Sequence, residues 1–330
     1  MSVLHPQVPA WGTAAPAPPS GARLGRVVRV DRGLLTVATA EGLVRLPPGP
    51  RLRADDAPAV GDWVAVADER VAEVLPRRTA LTRTVAGRTS AAQVLAANLD
   101  LVLVVDTLAE HARVRRVERF LAMAWGSGAV PLVVLTKADA CADVDAAVAQ
   151  VAEDAVGVEV LAVSAHTGAG LEALRARLAP GATCAVVGPS GVGKSTLLNA
   201  LAGRAAAATT EVRGDGRGRH TTTAAQLHVL PGGALLVDTP GLRELELADD
   251  EGLDAAFADV AELLTGCRFR DCGHSGEPGC ALTAALDDGR LDPARYRAWR
   301  KLRTEAERTG LRRAERRRWE KARGRAQRPR

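Results

Sequence analysis

Residues Gly188-Pro189-Ser190-Gly191-Val192-Gly193-Lys194-Ser195 spell G-x-x-x-x-G-K-[ST]. They follow an apolar run, Cys184 to Val187, and lead into the helix-forming Thr196, Leu197 and Leu198. In that context glycines let backbone N–H groups close around phosphates, and the helix N-terminus adds a favourable field. Lys194 is placed to reach the β and γ oxygens of a nucleoside triphosphate, and Ser195 to ligate magnesium. Downstream, Asp238-Thr239-Pro240-Gly241 closes another apolar run. Asp238 can hold magnesium through water there, and Gly241 can present its N–H to the γ-phosphate.

A base-reading motif lies upstream of this phosphate loop. Thr136-Lys137-Ala138-Asp139 follows the run Pro131 to Leu135, at the kind of strand end where α/β sheets bind ligands. Asp139 can accept hydrogen bonds from guanine N1 and N2, a donor pair that adenine lacks, while the Lys137 stem lies along the base. Thr136 stands where an Asn is usual, which leaves room for a looser tie to the phosphate loop. Ser164-Ala165-His166-Thr167 follows a further apolar run and resembles a backbone loop that contacts the guanine O6. The order of motifs is that of a circularly permuted GTPase, because an unpermuted one places the phosphate loop first.

Between the phosphate loop and Asp238 runs Arg213-Gly214-Asp215-Gly216-Arg217-Gly218-Arg219-His220-Thr221-Thr222-Thr223. It is too Gly-rich for a stable helix and suits a switch loop whose Thr closes onto magnesium and the γ-phosphate. Any of the three threonines could do so; Thr222 is the favoured candidate. Leu242 follows Gly241 where many GTPases carry the Gln that orients water. Intrinsic hydrolysis is therefore expected to be slow, with His220 the candidate to position water once a partner orders the loop; an exposed loop histidine is the alternative.

Cys267, Cys272, His274 and Cys280 form C-x4-C-x-H-x5-C. Three thiolates and one imidazole make a closed tetrahedral set for structural zinc, a better match than iron, with no vacant position for a catalytic water. Cys184 and Cys141 have no obvious base and read as structural.

These motifs need elements to carry them. Residues 1–21, with Pro9, Pro16, Pro18 and Pro19 among Ala and Gly, read as a disordered leader rather than a signal peptide. Residues 22–86 hold five short β-rich runs, Arg26 to Val30, Leu34 to Thr39, Leu43 to Leu46, Asp62 to Ala67 and Val71 to Leu75, separated by turn residues. They suggest an OB-fold barrel, although spacing alone does not separate it from an SH3-like one. Arg77, Arg78, Arg83 and Arg88 then form a basic rim or a solvated linker. Residues 87–246 alternate strand-like and helical segments, the signature of a mostly parallel α/β P-loop core. Residues 247–330 lose the strand signal and read as a helical zinc-binding domain with a basic tail. The longest central apolar run, Leu101 to Val105, is cut by Asp106, and no stretch of roughly 18 apolar residues exists to span a bilayer. A cytoplasmic location and no membrane partner are expected. Net charge is +5 over 330 residues. Between Arg290 and Arg330, 17 Lys and Arg face 5 Asp and Glu, a net of +12, so the rest of the chain carries −7. Arg clustered at one end suits a phosphate backbone, against the alternative of a solvated charged helix.

The chain resembles the RsgA (YjeQ) family of small-ribosomal-subunit-dependent GTPases across about residues 22 to 310. The resemblance rests on Val60-Gly61-Asp62-Trp63-Val64, the permuted motif order, Gly218-Arg219-His220-Thr221-Thr222-Thr223, Asp238-Thr239-Pro240-Gly241 and the zinc spacing. It implies a late factor in small-subunit maturation that binds the 30S particle and its 16S rRNA, converts GTP to GDP and phosphate there, and leaves. The expected species is a monomer with one zinc ion, and magnesium accompanying the nucleotide. Two competing readings are a module that keeps GTP as a structural ligand and a permuted GTPase of the large subunit. Thr136, the Pro/Ala leader and the Arg-rich tail depart from the family pattern.

Overall fold

The computed structural model describes residues 15–31, 33–52, 57–84, 92–109, 114–203, 225–238, 252–293, 295–304 and 306–307. Five short strands come first: β1 (Arg23–Asp31), β2 (Leu34–Thr39), β3 (Gly42–Leu46), β4 (Trp63–Ala67) and β5 (Arg70–Val74). β1 pairs antiparallel with both β2 and β4, β2 with β3, and β4 with β5. A parallel bridge between Pro48 and Val71 closes the circuit, with Gly49 N donating to Val71 O at 2.8 Å. Alternate residues point inward, and Val27, Leu35, Val37, Leu46, Val64, Val66 and Val71 fill the interior. The expected OB-type barrel is therefore the one formed.

The barrel is not a separate bead. Arg29 of β1 pairs with Gln226 of β12 (Gln226–Val229), which joins the barrel to the central sheet. A hairpin of β6 (Ala80–Thr84) and β7 (Ala92–Ala97) follows the barrel and straddles the 86/87 division expected from sequence.

The core sheet runs β10 (Val160–Ala162), β9 (Val130–Thr136), β8 (Leu101–Thr107), β11 (Thr183–Val187), β13 (Leu235–Asp238), β12. All neighbours are parallel except β12 against β13. Strands covered on both faces need apolar residues at every position, hence near-continuous Val and Leu. On one face Leu103, Val105, Cys184, Val186 and Leu236 pack against α3 (Leu171–Arg177) and α4 (Lys194–Ala202). On the other, Val102, Val104, Ala185, Val187 and Leu235 meet α1 (Val114–Gly126) and α2 (Val144–Asp154). Asp143 caps α2 by accepting from Ala146 N at 3.0 Å.

The C-terminal domain adds α5 (Leu253–Ala256), α6 (Ala258–Leu264), α7 (Ala281–Asp287) and a helix over residues 295–304, α8. It docks on α1: a Cβ at Gly252 would overlap the Ala122 carbonyl, and Phe257 is fully buried. No helix among the described residues is long and apolar enough to cross a membrane.

Candidate functional site

Parallel strands deliver the motif residues to one edge of the sheet. Thr136 ends β9, Ser164 follows β10, Gly188 follows β11, and Asp238 ends β13. Gly188 has φ 142°, and a Cβ there would overlap the Val105 carbonyl, so only glycine lets the loop start this close to β8. Gly191 and Gly193 also have positive φ, and together the three bend the backbone into a cradle that opens onto the first turn of α4. Lys194 Nζ folds over that loop, donating to the Gly188 carbonyl at 2.7 Å and to the Pro189 carbonyl. Ser190, Ser195 and Thr196 are exposed at the mouth, whereas Val192 is buried and anchors the loop to the core.

The Thr136–Asp139 segment is tied to that loop at two points. The Thr136 hydroxyl bonds the Val192 carbonyl and lies 3.1 Å from Asp106 O. Lys137, in left-handed backbone (φ 58°), donates from Nζ to Gly191 O at 3.2 Å. Where an Asn amide is usual, the Thr136 hydroxyl makes the contact with the phosphate loop. Ala138 N donates to Val163 O at 3.1 Å, which sets the Thr136–Asp139 and Ser164–Ala165 segments side by side. The Ser164 hydroxyl then donates to Asp139 Oδ1. That bond holds the Asp139 carboxyl below its ordinary value. Asp238 ends β13, which pairs with the strand leading into the phosphate loop. His220, Thr222 and Gly241 lie outside the described residues.

Asp106, which in the sequence is only a break in an apolar run, lies at the same edge of the sheet. It is buried at the C-terminal end of β8 and receives Thr107 N at 2.8 Å and the Arg116 guanidinium. A lone carboxylate closing a buried strand was the available signal.

The second constellation assembles as the spacing requires. The ligand atoms of Cys267, Cys272, His274 and Cys280 all lie within 4.8 Å of one another. A tetrahedral zinc with ordinary bond lengths would separate sulfur from imidazole nitrogen by about 3.6 Å. Cys267 Sγ and Cys280 Sγ sit 3.6 Å and 3.8 Å from His274 Nδ1. The residues present fit a metal ion, with Nδ1 the coordinating nitrogen. Glu277, inside the loop, accepts from Gly273 N at 3.1 Å and Ser275 N at 2.7 Å. Tyr296 donates its hydroxyl to His274 O, and Trp299 packs edge-on against the His274 ring at 5.8 Å. The other two cysteines take no part. Burial pushes the Cys184 thiol up to about 12, and Cys141 Sγ contacts Asp143 O at 3.4 Å.

Two of the four arginines read as a basic rim are engaged within the protein. Arg77 pairs with buried Asp62 at 2.7 Å, and Arg78 with Asp100 at 2.9 Å. Arg88 and the side chain of Arg83 lie outside the described residues, as does the tail from residue 308 onward.

The profile of the RsgA GTPase family matches residues 74–248. A Streptomyces coelicolor protein named small ribosomal subunit biogenesis GTPase RsgA is 48% identical over 314 residues, covering 90% of this chain and 84% of that protein. The Lactiplantibacillus plantarum protein named small ribosomal subunit biogenesis GTPase RsgA 2 is 40% identical, covering 88% and 86% respectively. Among solved structures, YjeQ from Thermotoga maritima superposes with a TM-score of 0.65 at 28% identity, covering 86% of this chain and 98% of that one. YloQ, described as a circularly permuted GTPase, superposes with a TM-score of 0.63 at 24% identity, which supports the fold. With a permuted phosphate-loop core, an OB-type barrel and a Cys3His cluster in one chain, the protein belongs to the RsgA family of GTPases.

Proposed function

We propose that this GTPase acts in the cytoplasm, as a monomer, on the maturing small ribosomal subunit, binding the 30S particle and its 16S rRNA and leaving after hydrolysis. The observation that carries the reading is convergence. Segments distant in sequence, Thr136–Asp139, Ser164–Ala165 and Gly188–Thr196, meet at one sheet edge with direct bonds between them, and Asp238 ends the strand next to β11 at the same edge.

Asp139, oriented by Ser164, accepts from the guanine N1 and N2 donors, and the Lys137 stem flanks the base. Backbone N–H groups from Gly188 to Ser195 surround the phosphates, and Lys194 exchanges its loop carbonyls for β and γ oxygens. Ser195, Thr222 and Asp238 would hold magnesium, which supplies positive charge to the phosphoryl group being transferred. Gly241 offers an N–H to the γ-phosphate, and His220 positions the attacking water when the subunit orders its loop. No covalent intermediate is required. Zinc in the Cys3His cluster has a structural role, cross-linking a loop that has little apolar core of its own.

The test is phosphate release from GTP with and without purified small subunits. Stimulation on the order of a hundredfold or more is expected, the range that positioning groups supply, and His220→Ala should abolish most of it. Turnover that ignores small subunits, or responds equally to large ones, would overturn the reading.

A further inference from the structure

Of the three phenylalanines, Phe120 and Phe257 are 7% and 0% exposed, while Phe269 is 46% exposed. A single exposed aromatic ring is ordinary on a protein surface. Its setting is what distinguishes Phe269. It lies between Cys267 and Cys272, two members of the metal cluster, so a bound ion would pin both ends of its loop. Arg268 and Arg270 flank it, and both are exposed. The Arg268 guanidinium carbon lies 5.4 Å from the Phe269 ring centroid. The Arg268 stem rests on Gly279, where a Cβ would meet Arg268 Cβ at 3.0 Å and Cδ at 3.2 Å, and Arg268 N donates to Gly279 O at 3.1 Å. Glycine at 279 therefore leaves the room in which the arginine lies. The loop holds two acids: Glu277 is turned onto the loop's own N–H groups, and exposed Asp271 follows Arg270. The outward face keeps an aromatic ring with cationic neighbours.

We infer that Phe269 is a stacking platform for an unpaired RNA base, with Arg268 and Arg270 on the adjoining phosphates; this rests on the RNA-bound reading above. Every base has a π-face, so an aromatic ring accepts it without sequence preference, and flanking guanidinium groups supply the backbone attraction. Duplex RNA keeps its bases stacked on one another and offers no such face. The binding partner is thus a single-stranded or looped segment.

The test uses the full-length, metal-loaded protein with a non-hydrolysable GTP analogue. It measures affinity for purified small subunits, and separately for a short unstructured RNA and a hairpin of the same length, over a series of salt concentrations. Phe269→Ala is expected to weaken subunit and single-strand binding by about 5- to 150-fold without changing the salt slope. Phe269→Trp should retain binding and show fluorescence quenching by the single strand, whereas Phe269→Leu should not rescue. Arg268→Gln should instead flatten the salt slope. Unchanged thiol protection at the metal cluster would show that each variant remains folded. An alanine variant that binds within twofold of the parent overturns the inference. So does rescue by leucine as complete as by tryptophan, which would assign the ring to an apolar protein contact. Failure of the parent to bind subunits counts against the ribosomal reading, and the single-strand arm then judges Phe269 by itself.

Discussion

Thr136 shows how one hydroxyl can set the geometry between base and phosphate sites. Its partner, the Val192 carbonyl, belongs to the innermost part of the phosphate loop, and Val192 is 2% exposed. A buried carbonyl deprived of its donor costs about 1–3 kcal/mol. Thr136→Val keeps the shape and removes the donor, so GDP affinity is expected to fall on the order of tenfold. Thr136→Asn should bind as the parent does, because its amide can reach the same carbonyl. Calorimetric titration with GDP checks both, and parent-like affinity in the valine variant would mean that the loop is positioned by its glycines and Val192 alone. The residues proposed to bind nucleotide were legible because each motif is contiguous and strand-end placement follows from the adjoining apolar run. Asp106 was not, since its role depends on an arginine one helix away that no local pattern links to it.

The metal-binding loop between α6 and α7 is an element with little hydrophobic interior. Gly266, Gly273, Gly276 and Gly279 interrupt it; Tyr296 and Trp299 of α8 support it, and a metal ion in the Cys3His group would cross-link it. Thiol chemistry reads this directly. Among five cysteines, Cys141 is half-buried outside the cluster, three belong to it, and Cys184 is buried in β11 with its thiol pushed up to about 12. Alkylation of the metal-loaded protein should modify Cys141 alone. Chelation should expose Cys267, Cys272 and Cys280 together, and only denaturation should expose Cys184. Mass spectrometry counts the steps; three cluster thiols reacting before chelation would exclude a bound metal. The ligand spacing was plain in the sequence, whereas the support from Tyr296 and Trp299 required the fold of α8 back over the loop.

Across the molecule, two buried arginines join the three parts. Arg26 of the barrel donates to Thr183 Oγ1 at 2.9 Å and stacks 4.9 Å over Trp63, and burial lowers its pKa to about 10, still charged at neutral pH. Around it, a Cβ at Gly61 would overlap the Ala97 carbonyl, and Asn98 Nδ2 donates to Gly61 O at 3.0 Å. The Val60-Gly61-Asp62-Trp63-Val64 motif is thus the joint between barrel and core. Burial lifts the Asp62 carboxyl against the pull of Arg77. Arg295 does the corresponding work at the other end. It bonds Asp259 at 2.6 Å, Glu118 of α1 at 2.8 Å and the Asp154 carbonyl of α2 at 3.0 Å, and lies 4.7 Å over Phe257. Removing one member of a buried ion cluster costs about 3–5 kcal/mol, and the lower end applies because Asp259 is partly solvated. Arg295→Met should speed hydrogen exchange over residues 252–264 and in α1 while leaving the barrel unchanged. Unaltered exchange there would show that packing of Gly252 and Phe257 on α1 is sufficient to hold the domain.

Sequence by itself marked the candidate residues of each site, because a phosphate loop, a Thr-Lys-Ala-Asp tetrapeptide and a Cys3His set are short-range patterns whose geometry local backbone rules dictate. It also determined strand and helix placement in the core, where burial on both faces writes long apolar runs. Only the tertiary structure decided how the parts are held together. Arg29 against Gln226, Arg26 against Thr183 and Arg295 against Glu118 join residues far apart in the chain. A buried arginine and an exposed one are the same letter; which it becomes depends on carboxylates and carbonyls that folding brings to it from elsewhere.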